Sequence, residues 1–164
     1  MGSGPTFIFF VMGVSGCGKS TIGTALAEAL SIPFFDGDDY HPQANIDKMS
    51  AGHPLNDEDR YGWLVRLNEL AAENLDKGAV IACSALKKTY RNLLKAGVED
   101  KVKWVYLEGS FEEILKRHQD RKNHFMPTVL LQSQFDALEP PETAITISIQ
   151  HTPEEIVFLI INQL

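Results

Sequence analysis

The sequence predicts an α/β fold in three layers, with a five-stranded parallel sheet between helices. Apolar runs typical of buried strands alternate along the chain with segments of helical periodicity. A glycine-rich loop ending in Lys-Ser joins the first predicted strand to the first predicted helix. The length of 164 residues suits one domain with a sizeable core, so we expect a single domain over residues 1–164.

The glycine-rich loop is the strongest functional signal. It reads G-x-x-x-x-G-K-S up to Ser20, after an apolar run at residues 7–12 and before a helical pattern at 21–30. In such a P-loop the backbone N–H groups bind phosphate oxygens, Lys19 adds positive charge and Ser20 offers a hydroxyl to Mg²⁺. The helix N-terminus favours anions as well. The predicted residues for nucleotide phosphates are Gly13, Val14, Ser15, Gly16, Cys17, Gly18, Lys19, Ser20 and Thr21.

Two carboxylates follow the second predicted strand, at residues 32–35. Asp36 and Asp38 come where an open α/β sheet binds its ligands, beyond the carboxyl end of a strand. Strand alternation points them in similar directions, so we expect Asp36 near the Mg²⁺-phosphate and Asp38 near an acceptor hydroxyl. The alternative is a solvated acidic turn that caps the next helix.

The central part of the chain predicts two helices and a strand. Residues 40–52 form a polar helical pattern. A second helix, which Asn56 or Asp57 can cap, has an apolar stripe that runs to Leu75. The third strand, at 79–83, is apolar throughout and has no Asp at its end. Metal binding therefore rests with Asp36 or Asp38.

A basic cluster follows the third strand. Lys87, Lys88 and Arg91 lie at a strand-to-helix junction, where they would attract an anionic group of a substrate. Arg91 is favoured because its planar fork matches a carboxylate bidentately. The alternative is a solvated helix face, which is common for lysine.

A second basic segment follows the fourth strand, at 103–107, and a helix that Ser110 would cap. Residues 117–127 are rich in Arg, Lys and His in an otherwise acidic chain, which predicts a lid that brings Arg117 and Arg121 over the phosphates. The alternative is a basic helix C-terminus stabilised by the helix dipole. A helix at 128–138, a strand at 144–149 and a helix capped by Thr152 complete the pattern.

Composition excludes several classes of function. The net charge of −7 argues against a broad nucleic-acid-binding face. No apolar run is long enough to span a membrane, and the N-terminus lacks the features of a signal peptide. Two cysteines make no disulfide framework, so we expect a reducing, cytoplasmic location. Four histidines without zinc-site spacing are expected to be structural or solvated, namely His41, His53, His118 and His151.

Together these motifs resemble the small-metabolite P-loop kinases, a plan shared with shikimate kinase and the nucleoside monophosphate kinases, and resemble the gluconate kinase family most. The resemblance spans nearly the whole chain, and its most specific blocks are Pro54-Leu55-Asn56-Asp57 and Cys83-Ser84-Ala85-Leu86-Lys87-Lys88. Further matches are Asp36-Gly37-Asp38, His41-Pro42, Asn45, Lys48-Met49, Asp59-Arg60, Trp63-Leu64, Tyr90-Arg91, His124-Phe125, Gln134-Phe135 and Leu138-Glu139. Cys17, where Ser is usual, and Asn123, where Gly is usual, depart from the family pattern.

The resemblance implies a P-loop kinase fold and transfer of the ATP γ-phosphoryl group to the 6-hydroxyl of D-gluconate, with Mg²⁺ as cofactor and a homodimer as assembly. The implied segments are a core (5–36, 77–116 and 128–164), a substrate-binding helical segment (37–76) and a lid (117–127). The implied roles are catalysis by Lys19, Asp38, Arg117 and Arg121, substrate binding by Asp38, Arg60, Lys87, Arg91 and His124, and metal binding by Ser20 and Asp36.

Two other functions remain open from the sequence. One is a kinase of the same fold that acts on shikimate or another small hydroxy acid, because a basic pocket alone does not separate these polyhydroxylated carboxylates. The other is an ATP-binding module without catalysis, although such a module has no need for the full set of charged residues.

Overall fold

A computed structural model describes residues 6–120 and 128–164 of the chain. Its five strands form one sheet in the order β2-β3-β1-β4-β5, and every pair of neighbours is parallel. The predicted fold class is therefore confirmed. The strands are β1 (Ile8–Met12), β2 (Phe34–Asp36), β3 (Ala79–Ala82), β4 (Val102–Glu108) and β5 (Ile145–Ser148).

Helices cover both faces of this sheet. The α-helices of the described residues are α1 (Lys19–Leu30), α2 (Gln43–Ser50), α3 (Asp57–Glu73), α4 (Lys88–Lys95), α5 (Phe111–Asp120), α6 (Thr128–Ala137) and α7 (Pro153–Ile161). Short 3-10 turns lie at Gly37–Tyr40 and Glu99–Lys101.

The central strand β1 divides the core into two layers. Successive side chains of a strand point to opposite faces of the sheet. Phe9 and Val11 therefore pack with α1 and α7, whereas Ile8, Phe10 and Met12 pack with α3 and α4. All five side chains of β1 are buried, which explains why this strand is a continuous apolar run.

Side-chain caps set the starts of three helices. Asn56 caps α3 and forms a reciprocal capping box with Asp59, so of the two predicted capping residues it is Asn56 that caps the helix. Thr152 and Glu155 form the same arrangement at α7. The Ser110 hydroxyl accepts from the Glu113 N–H at 3.1 Å at the start of α5, as the sequence predicted.

The predicted helix over residues 40–52 is wrong in its first part. The chain instead makes a 3-10 turn at Gly37–Tyr40, and α2 starts only after Pro42. Proline lacks an N–H and disfavours helical geometry in the residue before it, so it separates the turn from the helix. Strand β2 also begins and ends later than predicted, at Phe34 and Asp36.

In the part of the chain that the structure describes, no helix is both long and apolar enough to cross a membrane.

Candidate active site

A cleft of about 460 Å³ opens at the carboxyl ends of β1, β2 and β3. The P-loop forms its floor on one side, and α6 lines it with Leu130, Ser133 and Gln134. Ligands of open α/β sheets bind at this edge, where neighbouring chain connections run in opposite directions from the central strand. The predicted site residues are therefore expected to lie in this cleft.

The P-loop has the geometry that phosphate binding requires. Gly18 precedes α1 with φ of 98°, a left-handed conformation that glycine adopts without strain. Lys19 Nζ donates to the carbonyl oxygens of Gly13 and Val14 at 3.0 and 3.1 Å, so the ammonium group is held over the loop. The predicted P-loop residues that line the cleft are Ser15, Gly16, Gly18, Lys19, Ser20 and Thr21.

The side chains of Val14 and Cys17 are buried in the core, with exposed fractions of 3% and 2%. These two residues support the loop by packing, and only their backbone groups are available to a phosphate. Cys83 is also buried, and burial raises the pKa of its thiol to about 12. Among the described residues both cysteines are free thiols.

Ser20 and Asp36 meet at the edge of the cleft. The Ser20 hydroxyl donates to Asp36 Oδ2 at 2.9 Å, across the start of α1 and the end of β2. A hydroxyl and a carboxylate are hard oxygen donors of the kind Mg²⁺ takes alongside phosphate oxygens. No cluster of three or more His, Cys, Asp or Glu side chains suited to a metal occurs within residues 6–120 and 128–164. The Ser20 hydroxyl and the Asp36 carboxylate fit a cation that also binds phosphate oxygens.

Asp38 lies beside this pair and lines the same cleft. Its backbone N–H donates to Asp36 Oδ1 at 3.0 Å, which closes the 3-10 turn. The side chain is reached by water through the open cleft, yet desolvation by the surrounding walls raises the pKa of its carboxyl. Lys19 opposes this effect, and the negative charges of Asp36 and Asp39 add to it. A carboxylate with a raised pKa is suited to accept a proton.

Gly37 between the two acids allows the turn to lie against β3. A Cβ atom at this position would collide with the carbonyl oxygen of Ala82. The indole Nε1 of Trp63 donates to the Gly37 carbonyl at 2.7 Å and holds the turn from the α3 side. The spacing of the two aspartates is therefore fixed by packing on both sides.

His41 lines the cleft, although the sequence predicted only a structural or solvated role. Its ring stacks on Trp63 with 4.0 Å between centroids and an interplanar angle of 18°. Asn45 Nδ2 lies 3.2 Å from His41 Nδ1. Desolvation, with a smaller contribution from Arg60, lowers the pKa of His41 to about 4, so the ring is neutral near pH 7. A neutral ring with Nδ1 accepting from Asn45 carries its proton on Nε2, 4.0 Å from Asp38.

Arg60 and Lys87 belong to one charged network on the α3–α4 side. Arg60 Nη1 donates to the Leu55 carbonyl at 2.7 Å and to the Tyr90 hydroxyl at 2.9 Å. The Tyr90 hydroxyl in turn donates to Asp57, and Lys87 Nζ lies 3.3 Å from the same carboxylate. These bonds lower the pKa of Asp57, with the Tyr90 bond as the largest cause and the Lys87 bond next.

The network reaches two neighbouring cavities. Arg60 lines both the main cleft and an adjacent, more open groove, whereas Lys87 lines only the groove. The structure therefore brings Arg60 to the predicted site and places Lys87 at its margin.

Arg91 does not occupy the position that the sequence predicted for it. Its side chain is 8% exposed and donates to the carbonyl oxygens of Ala85 and Glu139 at 2.7 and 2.8 Å. It lines neither cavity. The buried guanidinium joins the end of β3 to the chain after α6, and this contact requires residues distant in sequence. Lys88 lines neither cavity, and its backbone N–H donates to Glu139 Oε1 at 2.7 Å.

Arg117 contacts the P-loop from α5. Its Nη2 donates to the Ile149 carbonyl at 2.9 Å, and Nη1 lies 3.5 and 3.4 Å from the carbonyl oxygens of Gly16 and Cys17. Among the described residues it is not part of the cleft lining. Arg121, His124 and all other residues of the predicted lid after 120 lie outside the described residues.

Several residues that line the cleft were given no role by the sequence, and among them are His41, Trp63 and Gln134, which were quoted only as part of the family resemblance. The rings of His41 and Trp63 stack on each other. His41 follows Asp38 by three residues, and this spacing was the available signal. For Gln134 the available signal was its match to the family pattern, because the position of a glutamine on a predicted helix does not by itself indicate a site.

Comparisons with known proteins show the family to which the chain belongs. The shikimate kinase family model matches residues 15–154. The thermosensitive gluconokinase of Escherichia coli is 52% identical over 136 residues, which cover 82% of this chain and 72% of that protein. A probable gluconokinase of Schizosaccharomyces pombe is 42% identical over 160 residues, which cover 91% of this chain and 83% of the relative.

Two solved structures, a gluconokinase and a shikimate kinase, resemble this chain to different degrees. A gluconokinase from Sinorhizobium meliloti superposes with a TM-score of 0.87 at 41% identity, covering 93% of this chain and 88% of that one. Shikimate kinase from Aquifex aeolicus superposes with a TM-score of 0.64 at 17% identity, covering 96% and 95%, and so shares the fold alone. The chain therefore belongs to the shikimate kinase family of P-loop kinases and, within it, groups with the gluconokinases.

Proposed function

We propose that the protein is a gluconokinase, which transfers the γ-phosphoryl group of ATP to the 6-hydroxyl of D-gluconate to give 6-phosphogluconate and ADP. The observation that carries this proposal is the placement of Asp38 and Arg60 in one cleft with the P-loop. The cleft thus contains the phosphate-binding P-loop, the Asp38 carboxyl with its raised pKa, and the Arg60 guanidinium, whose positive charge suits an anionic acceptor. The relatives named gluconokinase support the choice of acceptor.

The proposed reaction follows from phosphoryl-transfer chemistry, in which positioning and charge neutralisation dominate. Asp38 orients the acceptor hydroxyl and accepts its proton. The hydroxyl oxygen forms a bond to the γ-phosphorus, and the bond from that phosphorus to the β–γ bridging oxygen breaks, which releases ADP. Lys19 and the backbone N–H groups of the P-loop neutralise charge on the phosphates. Arg117 and Arg121 are proposed to stabilise the transferring group.

Ser20 and Asp36 are proposed to hold Mg²⁺, Ser20 by direct coordination and Asp36 by supporting it, in part through water. The cation would neutralise the β- and γ-phosphate oxygens when bound. The hydrogen bond between the two side chains supports this assignment, because it brings both oxygen donors to one point beside the P-loop.

Substrate binding is proposed to rest on Arg60, with Lys87 at the margin and His124 from the predicted lid. Arg60 lines the cleft, and its guanidinium is held by the Tyr90 hydroxyl and the Leu55 carbonyl. A guanidinium that is fixed in this way suits a carboxylate, since less side-chain entropy is lost on binding.

The test is a coupled assay of ADP release with D-gluconate, other sugar acids, shikimate and nucleoside monophosphates as acceptors. We expect gluconate to support the highest kcat/KM, with Lys19→Ala as a blank. A preference for shikimate or another hydroxy acid would contradict the acceptor assignment. ADP release that no acceptor stimulates would instead favour an ATP-binding module without kinase activity.

We also propose a homodimer and a cytoplasmic location. The dimer rests on the family resemblance, and the location on two free, buried cysteines, which suit a reducing compartment. Light scattering after size-exclusion chromatography tests the assembly, and a mass near 18.3 kDa would contradict it, since that is the mass of one chain.

A further inference from the structure

The ring of His41 has one nitrogen that is bonded within the protein and one that is not. Nδ1 lies 3.2 Å from the amide nitrogen of Asn45. Nε2 lies 4.0 Å from Asp38 Oδ1, and it has no hydrogen-bond partner among the residues that the structure describes. The His41 side chain is only 5% exposed and forms part of the cleft wall. Because buried polar atoms are almost always hydrogen-bonded, the free Nε2 indicates a place for a ligand.

Asn45 decides which nitrogen of this ring carries the proton. Its buried Nδ2 also donates to the Asp59 carbonyl oxygen at 2.8 Å. A carbonyl oxygen can only accept, so this contact fixes the orientation of the amide, and the second N–H of Nδ2 is left for His41 Nδ1. Burial lowers the pKa of His41 to about 4, so the ring is neutral at pH 7. The hydrogen of the neutral ring is therefore on Nε2.

The direction of the Nε2–H group is fixed before any ligand binds. The His41 ring stacks on Trp63 with 4.0 Å between their centroids. Trp63 is itself held, because its Nε1 donates to the Gly37 carbonyl oxygen at 2.7 Å. A donor that is already oriented costs little conformational entropy when it forms a bond to a ligand.

A hydroxyl group fits between His41 Nε2 and Asp38 Oδ1. It can donate to the carboxylate and accept from the ring N–H, in bonds of about 2.7 and 2.9 Å. Two atoms that are 4.0 Å apart can both reach one oxygen at such distances. A carboxylate or phosphate oxygen fits less well, because it has no hydrogen for Asp38 and its negative charge is repelled. The pair is therefore suited to an alcohol.

We propose that His41 is a further catalytic residue, whose Nε2–H donates to the oxygen of the acceptor hydroxyl that Asp38 deprotonates, and that Asn45 is its positioning residue. The inference rests on the proposed function, since it concerns the acceptor of that reaction. A hydroxyl oxygen has two lone pairs, so one accepts from His41 while the other attacks the γ-phosphorus. The hydroxyl proton passes to Asp38, and His41 keeps its own proton throughout.

Two substitutions of His41 separate hydrogen bonding from packing. His41→Gln keeps an N–H donor on a side chain of similar reach but loses the ring, whereas His41→Phe keeps a ring to stack on Trp63 but loses the donor. In His41→Phe we expect kcat/KM for gluconate to fall by about 3- to 10-fold, the range of one net hydrogen bond. The fall in His41→Gln should be smaller, and the KM for ATP should stay near the wild-type value in both.

A purely structural role of His41 predicts the reverse order, because only His41→Phe preserves the stack. Thermal unfolding reports the stability of each variant, and kinetics are measured where both are folded. Wild-type kcat/KM in His41→Phe, or higher activity in His41→Phe than in His41→Gln, overturns the proposal. His151→Phe is the matched control, since His151 is exposed beside Glu155 at the start of α7, and its kcat/KM should be unchanged.

Long-range proton–nitrogen NMR correlation of the full chain tests the tautomer without any substrate. At pH 7 we expect a neutral His41 ring with its hydrogen on Nε2, and the signal is assigned by its absence from the His41→Gln spectrum. A hydrogen on Nδ1 overturns the proposal. If His41→Gln does not fold, His41→Phe serves for the assignment.

Failure of the proposed function would look different. If the wild type does not use gluconate, the acceptor assignment is wrong, and the variants are then compared with the acceptor of highest kcat/KM in the same panel. Wild-type activity on gluconate that His41→Phe retains in full contradicts the inference about His41 alone. ADP release that no acceptor stimulates contradicts both.

Discussion

The Ser20 hydroxyl donates to Asp36 Oδ2 at 2.9 Å, and this bond joins the first turn of α1 to the end of β2. The third strand, β3, ends without an acidic residue, so the acid nearest to the P-loop serine comes from β2 instead. This relationship defines where we expect Mg²⁺ to bind.

Ser20→Ala and Asp36→Asn are each expected to raise the Mg²⁺ concentration needed for half-maximal activity by about 10-fold or more, because each variant removes one oxygen donor or its support. The measurement is a Mg²⁺ titration of ADP release at fixed ATP and gluconate. Asp47→Asn is the control, since Asp47 is exposed on α2 and bonded to Gln43. An unchanged Mg²⁺ requirement in both site variants would contradict the assignment.

Asp38→Asn is expected to lower kcat by about 10²- to 10⁴-fold, because the amide cannot accept the acceptor proton. The dissociation constant for ATP should change little, since the P-loop is untouched. Steady-state kinetics measure kcat, and a nucleotide titration measures the dissociation constant for ATP. A large loss of ATP affinity would place Asp38 on the metal–nucleotide side of the cleft instead.

The raised pKa of Asp38 sets the direction of the pH dependence. Its carboxyl must be ionised to accept a proton, so kcat/KM should fall on the acid side at a pH above its ordinary value of 3.8. Since Lys19 lowers this pKa, Lys19→Ala should raise it further. Carbon-13 NMR titration of the carboxyl measures the pKa in both proteins and does not require enzyme activity. A pKa of Asp38 below 3.8 in the wild type would contradict the structure.

Arg60→Ala is expected to raise the KM for gluconate by about 10- to 100-fold, the range expected for a charge-assisted hydrogen bond. The KM for ATP should change far less. Arg66→Ala is the matched control, because Arg66 lies on the same helix and pairs with Glu69 and Glu73 at the surface. Equal effects of the two variants on the KM for gluconate would show that Arg60 does not meet the acceptor.

Arg91→Met is expected to act on stability. It leaves the carbonyl oxygens of Ala85 and Glu139 without their donors, at a cost of about 1–3 kcal/mol. Each kcal/mol lowers the Tm by roughly 2–4 °C in a domain of this size. Thermal unfolding measures the loss, and kinetics at a temperature where the variant is folded should show a KM for gluconate near that of the wild type. A large rise in that KM with an unchanged Tm would restore the role that the sequence predicted.

His41 is expected to make stability depend on pH. Its pKa is about 4 in the folded protein and 6.5 without burial, so the unfolded chain binds a proton more readily between these values. The free energy of unfolding should therefore fall as the pH decreases from about 6.5 to about 4. His41→Asn should remove part of this fall, whereas His151→Asn, at an exposed position, should not. Denaturant unfolding at pH 7 and 5 measures the difference.

The parallel sheet, the P-loop and the two aspartates after β2 could all be predicted from the amino-acid sequence. These features depend on local patterns: an apolar strand, fixed glycines, a Lys-Ser pair and a carboxylate at a strand end. Local rules also placed the capped starts of α3, α5 and α7, because a cap involves residues only three apart.

The positions of the charged side chains could not be predicted, because they depend on contacts made in the folded protein. Arg60 and Arg91 are both arginines near predicted helix starts, yet one lines the cleft and the other is buried on two carbonyl oxygens. The partners of Arg91 and Gln134 are as many as 48 and 119 residues away along the chain. Periodicity and propensity describe neighbours in sequence, whereas these contacts depend on which loops the folded sheet brings together.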